Sequence, residues 1–315
     1  MDVNRRAFLK LAGGAGVASA AGAAAVVTRP RRASAAVRHG DDAVGMLVDT
    51  TRCVGCRACE AACSETHRLP APAMLGQDTV FAKVRRTEST SYTVVNRFAA
   101  AAEGGAAGAP AAVRFVKTQC MHCVDPACAS ACLVKALEKT PEGPVVYHRD
   151  RCIGCRYCMV ACPFGVPAFE YEKVLPYVTK CTFCVERQQQ SQAPACATVC
   201  PSGALTFGTR KALLETAKTR IYRDAERYVH HVYGEREAGG TSWLYITDVP
   251  FEQVGFRTDV PMRPFPELTW TFLSAVPFVL MLWPPFLMGL YTFSRERREA
   301  RPATEAERTR ETTHA

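Results

Sequence analysis

Sixteen cysteines in a chain of 315 residues fall into four groups of four, and this repeat restricts the fold more than any other feature. Group one is Cys53, Cys56, Cys59 and Cys63; group two is Cys120, Cys123, Cys128 and Cys132. Group three is Cys152, Cys155, Cys158 and Cys162; group four is Cys181, Cys184, Cys196 and Cys200. Each opens C-x-x-C and closes C-x-x-x-C. Group three reads Cys152-Ile-Gly-Cys155-Arg-Tyr-Cys158-Met-Val-Ala-Cys162-Pro163. That is the run in which three thiolates hold one iron–sulfur cluster and the fourth serves its neighbour. The tight loop presents three thiolates to one cubane, whereas the residue three further on is expected to have begun a helix and to point elsewhere. Proline after the fourth cysteine, at Pro163 and Pro201, would suit the first turn of that helix; Ser64 and Leu133 stand there in the other two groups. Four such motifs satisfy four [4Fe–4S] clusters and use every cysteine.

Competing cysteine chemistries fit less well. Disulfide scaffolds are small and do not repeat C-x-x-C in this way. Zinc ribbons use separated C-x2-C pairs without a third cysteine inside the loop. Thioredoxin-like chemistry needs one C-x-x-C on a βαβ unit. His122, inside Cys120-Met121-His122-Cys123, displaces no cysteine, so it is expected to hydrogen-bond behind the ligands or to be exposed. His230 and His231 read as a solvated pair. No Ser/His/Asp set or phosphate loop is present, so the chain is expected to perform no bond-making catalysis of its own. The formal charge is +9, but six Lys/Arg against one Asp in the first 35 residues supply over half of it. What remains is too scattered to indicate a nucleic-acid partner.

The expected class is α+β, with one C-terminal transmembrane helix. Residues 1–35 carry Arg5-Arg6-Ala7-Phe8-Leu9-Lys10, an Ala/Gly-rich stretch and Ala33-Ser34-Ala35, the layout of a twin-arginine signal peptide with its cleavage site. Residues 36–248 would form the cysteine domain. Within it Met46–Val48, Val145–Tyr147, Ala204–Phe207 and Ser242–Thr247 are expected strands, and Lys211–Tyr228 an expected helix with Leu214, Ala217, Ile221, Ala225 and Tyr228 on one face. Residues 99–112, almost all Ala and Gly, read as a flexible insertion. Residues 249–267, with four prolines, read as an extended tether. Residues 268–293 contain no charge and as a helix would span roughly 39 Å, enough for a bilayer. Arg295, Arg297, Arg298 and Arg301 follow, so the positive-inside rule puts the tail, 294–315, in the cytoplasm and the cysteine domain in the periplasm of an inner membrane.

The cysteine pattern, together with Gly45–Asp49, Gln119–Cys128, Gly154–Cys162 and Tyr233–Thr241, resembles the four-cluster iron–sulfur subunits of membrane-bound oxidoreductases. It resembles the ferredoxin-type subunits of hydrogenase-2, and also the β subunits of respiratory formate dehydrogenases. Spacing leaves the pairing of groups open, since 19 residues separate groups two and three and 18 separate groups three and four. The resemblance implies two nested bacterial ferredoxin-like units, groups two and three inside groups one and four. It implies one cluster on Cys53, Cys56, Cys59 and Cys200, and a second on Cys181, Cys184, Cys196 and Cys63. A third would use Cys120, Cys123, Cys128 and Cys162, and a fourth Cys152, Cys155, Cys158 and Cys132. It implies electron relay between a nickel–iron hydrogenase heterodimer and an integral membrane quinone-reactive subunit. Service to a formate dehydrogenase or other molybdopterin enzyme is the alternative, and a membrane-tethered structural zinc protein is one of a different class.

Overall fold

The run Val44–Asp49 is apolar on both faces, which a strand tolerates only when both faces are covered. It forms strand β1, the centre of a three-stranded sheet. On one side it pairs antiparallel with a C-terminal strand, Leu205–Thr209, in the register Met46↔Phe207; on the other it runs parallel to Trp243–Ile246, with Leu47↔Leu244. The computed structural model describes residues 43–73, 78–100 and 112–299. The expected signal peptide, most of the insertion and the C-terminal tail therefore lie outside the described residues.

Alternation along β1 separates two cores. Met46 and Val48 face Tyr233, Trp243, Tyr245 and Phe251. Leu47 faces the other way, with Leu244 and Ile246, onto Leu213 and Ala217 of a long helix. In chain order the helices are α1 (Ala58–His67), α2 (Ala127–Ser130), α3 (Tyr157–Ala161), α4 (Val185–Gln189), α5 (Ala195–Thr198), α6 (Arg210–Arg223) and α7 (Phe265–Glu299). Strands β2 (Thr93–Ala100) and β3 (Ala112–Gln119) form a hairpin. β4 (Leu137–Lys139) pairs with β5 (Val145–Tyr147), and β6 (Ala168–Phe169) with β7 (Val178–Thr179). The C-terminal pair already described is β8 and β9.

Four expectations require correction. Helix α6 starts at Arg210 on a Thr209 N-cap and stops at Arg223, because Asp224 takes a non-helical conformation (φ −122°, ψ 53°). Tyr228 is buried from beyond the helix, donating to Asp49 Oδ2 at 3.0 Å. The alanine-rich segment is not an insertion over its whole expected length: Ala99, Ala100 and Ala112 continue the β2–β3 ladder, which needs only backbone groups. Residues 249–267 do not form an extended tether. Val249, Phe251, Val254 and Val260 are buried, and Phe256 packs its ring 4.6 Å from Tyr233 and 4.7 Å from Tyr245, so apolar burial pins the segment to the sheet. Helix α7 overruns the expected span at both ends. Pro277, Pro284 and Pro285 lie inside it, and it is the one helix among the described residues long and apolar enough to cross a membrane, with none of its apolar window buried by the rest of the chain.

Candidate metal centres

The first-group loop turns because two successive corners adopt left-handed backbone: Gly55 at φ 71° and Arg57 at φ 59°. The third group repeats the pair at Gly154 (φ 71°) and Arg156 (φ 59°). At Gly55 the conformation suits glycine, and an added Cβ would also meet the Phe115 ring at 2.5 Å. Groups two and four turn at His122, and at Phe183 and Cys184, again with positive φ. The helix then begins before the third cysteine, so that in group one it is already under way at the fourth, as expected, whereas in group three it has ended there. Cys59 and Cys63 both lie in α1, and α3 ends just before Cys162. Pro163 and Pro201 therefore follow a helix end, where the chain cannot continue helical, instead of opening a first turn.

All sixteen thiols are free, and the fold gathers them across groups. Cys63, Cys181, Cys184 and Cys196 line one small cavity, so the fourth cysteine of group one joins three cysteines of group four. Burial pushes the Cys63 thiol up to about 12, with Cys196 and Cys184 adding to the shift. Burial also raises Cys53, where Cys200 and Cys56 contribute. Cys123 is raised well above the ordinary thiol range by burial first, then by Cys162, Cys120 and Cys128. Cys158 rises to about 11, from burial and from Cys132, Cys152 and Cys155. Cys63, Cys123 and Cys158 thus stand beside thiols of another group, and Cys53 beside Cys56 and Cys200. Such buried thiols ionise only where a cation compensates them, and soft iron suits sulfur donors. Among the described residues no three His, Cys, Asp or Glu side chains converge as a single metal ion requires. A cubane carries its four cysteines on four separate irons and needs no such convergence.

Thiols of different groups also lie near one another: Cys59 near Cys196, Cys181 near Cys120, and Cys128 near Cys158. Cys56 and Cys155 are exposed, whereas Cys63, Cys181, Cys184 and Cys196 are all buried. Val54 lies exposed near Cys56 in the sequence, and Ile153, Tyr157 and Val160 near Cys155.

Several side chains around the thiols were not legible in the sequence. Glu60, buried in α1, accepts from Arg57 Nη2 at 2.9 Å, Arg85 Nη2 at 2.5 Å and the Val95 N–H at 2.5 Å, tying the first loop to β2. Arg156 occupies the equivalent of Arg57 yet is exposed, so the shared motif carried no signal of this difference. His122 is fully buried, not exposed; its Nδ1 accepts from the Val145 N–H at 2.9 Å. Burial and the nearby Lys180 and Lys139 hold its pKa well below the usual imidazole range. Of the pair read as solvated, His231 instead meets Glu237 Oε1 at 2.6 Å. Lys117 in β3 points inward and lines the cavity of Cys63, Cys181, Cys184 and Cys196. Burial pulls its pKa down, but Cys196, Cys59 and Cys181 outweigh that and the net shift is upward.

The family described as 4Fe-4S dicluster domain matches residues 111–210. A protein of Nitratidesulfovibrio vulgaris is 46% identical over 97% of this chain and 80% of its own length. The hydrogenase-2 operon protein HybA of Escherichia coli O157:H7 is 36% identical over 80% of this chain and 83% of its own. The iron–sulfur subunit of the nitrate-inducible formate dehydrogenase of Escherichia coli K12 is 37% identical over 67% of this chain and 70% of its own.

Proposed function

From the premise that the chain belongs to the HybA-like family of ferredoxin-type iron–sulfur subunits, we propose that it relays electrons along four [4Fe–4S] clusters between a periplasmic nickel–iron hydrogenase and a quinone-reactive membrane subunit. As a family member it is an electron-transfer iron–sulfur subunit of an oxidoreductase complex. The clusters, when bound, supply one-electron transfer. The residues that would hold them are the four cross-group sets: Cys53, Cys56, Cys59, Cys200; Cys63, Cys181, Cys184, Cys196; Cys120, Cys123, Cys128, Cys162; and Cys132, Cys152, Cys155, Cys158. These make two nested ferredoxin-like units.

The observation that carries the reading is the gathering of thiols across groups, with Cys63, Cys181, Cys184 and Cys196 buried around one cavity and Cys56 and Cys155 exposed. A relay needs a surface contact at each end and an interior closed to solvent. Exposed Val54 near Cys56 in the sequence, and Ile153 and Tyr157 near Cys155, are suited to protein contacts. Helix α7, apolar and uncovered, would cross the inner membrane, with the cysteine domain in the periplasm and the tail in the cytoplasm. Residues 1–35 would be the twin-arginine signal that exports the folded domain. A zinc role would need donors converging on single ions, an arrangement missing among the described residues. Service to a formate dehydrogenase is the second reading; the match to that subunit spans less of this chain than the match to HybA.

Deleting the chain from its host tests the assignment. Hydrogen oxidation with an artificial dye should persist, while hydrogen-dependent quinone reduction should disappear. Quinone coupling that survives the deletion would contradict the reading, and loss of formate-dependent coupling instead would select the formate dehydrogenase.

A further inference from the structure

Lys117 is an ammonium enclosed by the protein, 3% exposed, near the C-terminal end of β3. Burying a charge without a counter-charge is costly, so its surroundings must supply one. Its Nζ donates to Gln119 Oε1 at 2.9 Å and sits 4.5 Å from the centroid of the Trp243 ring. Gln119 is held in turn by Tyr245, whose hydroxyl accepts from Gln119 Nε2 at 2.6 Å and donates to the Lys117 carbonyl at 2.9 Å. These partners are neutral. Among the described residues no carboxylate forms an ion pair with Lys117; it shares the lining of one cavity with Cys63, Cys181, Cys184 and Cys196, thiols of groups one and four. Burial raises the Cys53, Cys59, Cys63, Cys181 and Cys184 thiols, and nearby Lys117 opposes the rise at each. The other two buried lysines differ. Lys139 binds the His122 and Gly143 carbonyls, and Lys180 the Val145 and Cys181 carbonyls, so their protons are committed to backbone oxygens.

We propose that Lys117 is the shared counter-ion of the two clusters held by groups one and four, and that it raises the reduction potential of both. The inference rests on the ligand sets given above. A cubane bound by four thiolates is anionic and gains one further negative charge on reduction, so a fixed cation beside it favours the reduced state. The Gln119–Tyr245 chain and the Trp243 ring hold the ammonium at the junction of the two sets, where one charge serves both.

The test is an anaerobic redox titration, followed by electron paramagnetic resonance, of the complete chain carrying its clusters. Wild type is compared with Lys117→Met, Lys117→Gln and Lys117→Arg, with iron per chain measured on every sample. In both neutral variants, two of the four midpoint potentials should fall by at least 59 mV, a tenfold change in the one-electron equilibrium, while the other two stay. Lys117→Arg, which keeps the charge, should restore most of the shift. Full iron with four unmoved potentials would overturn the proposal and leave the ligand sets standing. An equal fall in Lys117→Arg would also overturn it, since shape would then be the cause. If the neutral variants lose iron and Lys117→Arg keeps it, the counter-charge is required for assembly and the proposal holds. If all three lose iron, packing explains the residue and the proposal fails. Fewer than four clusters in wild type would overturn the ligand sets, and the inference with them.

Discussion

Glu60 shows how a single side chain fixes the first cysteine loop. Its two carboxylate oxygens take donors from Arg57, Arg85 and the Val95 backbone, with Glu60 and Arg57 both almost fully buried. Glu60→Gln removes the counter-charge of Arg57 inside the protein, and breaking a buried pair costs about 3–5 kcal/mol. The urea concentration at which the loaded protein loses its iron–sulfur absorbance should fall accordingly; an unchanged midpoint would show the network to be dispensable. The His231–Glu237 pair predicts a pH effect. The Glu237 hydrogen bond raises the His231 pKa, so that contribution is full below the ordinary imidazole value and is lost as pH rises through the raised one. Burial opposes ionisation of Glu237, yet its bonds from His231 and the backbone leave its pKa depressed, and that contribution is lost as pH falls through the depressed value. The pair should therefore stabilise most between about pH 4.5 and 6.5. Comparing thermal unfolding of wild type and His231→Gln across pH 5 to 9 checks this: the difference should shrink towards alkaline pH, and a constant difference would contradict it. Neither pair was legible in the sequence, because an arginine after C-x-x-C is exposed at 156 and buried at 57, and only tertiary packing distinguishes them.

Among the elements, the cysteine loops depend on their left-handed corners. Gly55 and Gly154 share φ 71°, so alanine at either incurs about 1–2 kcal/mol of backbone strain. At Gly154 the added Cβ would find Phe169 at 3.8 Å, an ordinary contact; at Gly55 it would run into Phe115 at 2.5 Å. Gly154→Ala should therefore keep its full iron, and Gly55→Ala should lose about a quarter of it, the share of one cubane in four. Equal iron in the two variants would show that Phe115 yields. Helix α7 predicts a separable anchor: a chain ending at Pro264 should leave the membrane fraction with its iron intact, and continued membrane attachment would place the anchor elsewhere. The strands β1, β5, β8 and β9 were legible from short apolar runs between turn signals. The packing of 249–267 was not, because the prolines marked irregular backbone and concealed that Phe251, Val254 and Phe256 between them fill the aromatic core. That the helices of groups one and three begin before the third cysteine was not legible either, since C-x-x-C-x-x-C carries no N-cap residue and the turn is made by glycine and left-handed arginine.

For the molecule as a whole, sixteen cysteines with four repeated spacings identified the chemistry before any coordinates, because few other cofactors use three thiolates from one tight loop and a fourth from elsewhere. Spacing left the partner of each group open, and only the fold brings Cys63 to Cys181, Cys184 and Cys196. The burial of Cys63, Cys181, Cys184 and Cys196, with Cys56 and Cys155 exposed, is likewise a property of three dimensions. Those features suit an electron-transfer subunit, and the proposed relay depends on all four sites being filled. Iron and acid-labile sulfide, measured per chain on the anaerobically purified complete protein, test that directly. The expected content is about sixteen iron and about sixteen sulfide, four of each per cubane; about half that iron, or zinc in its place, would contradict the account.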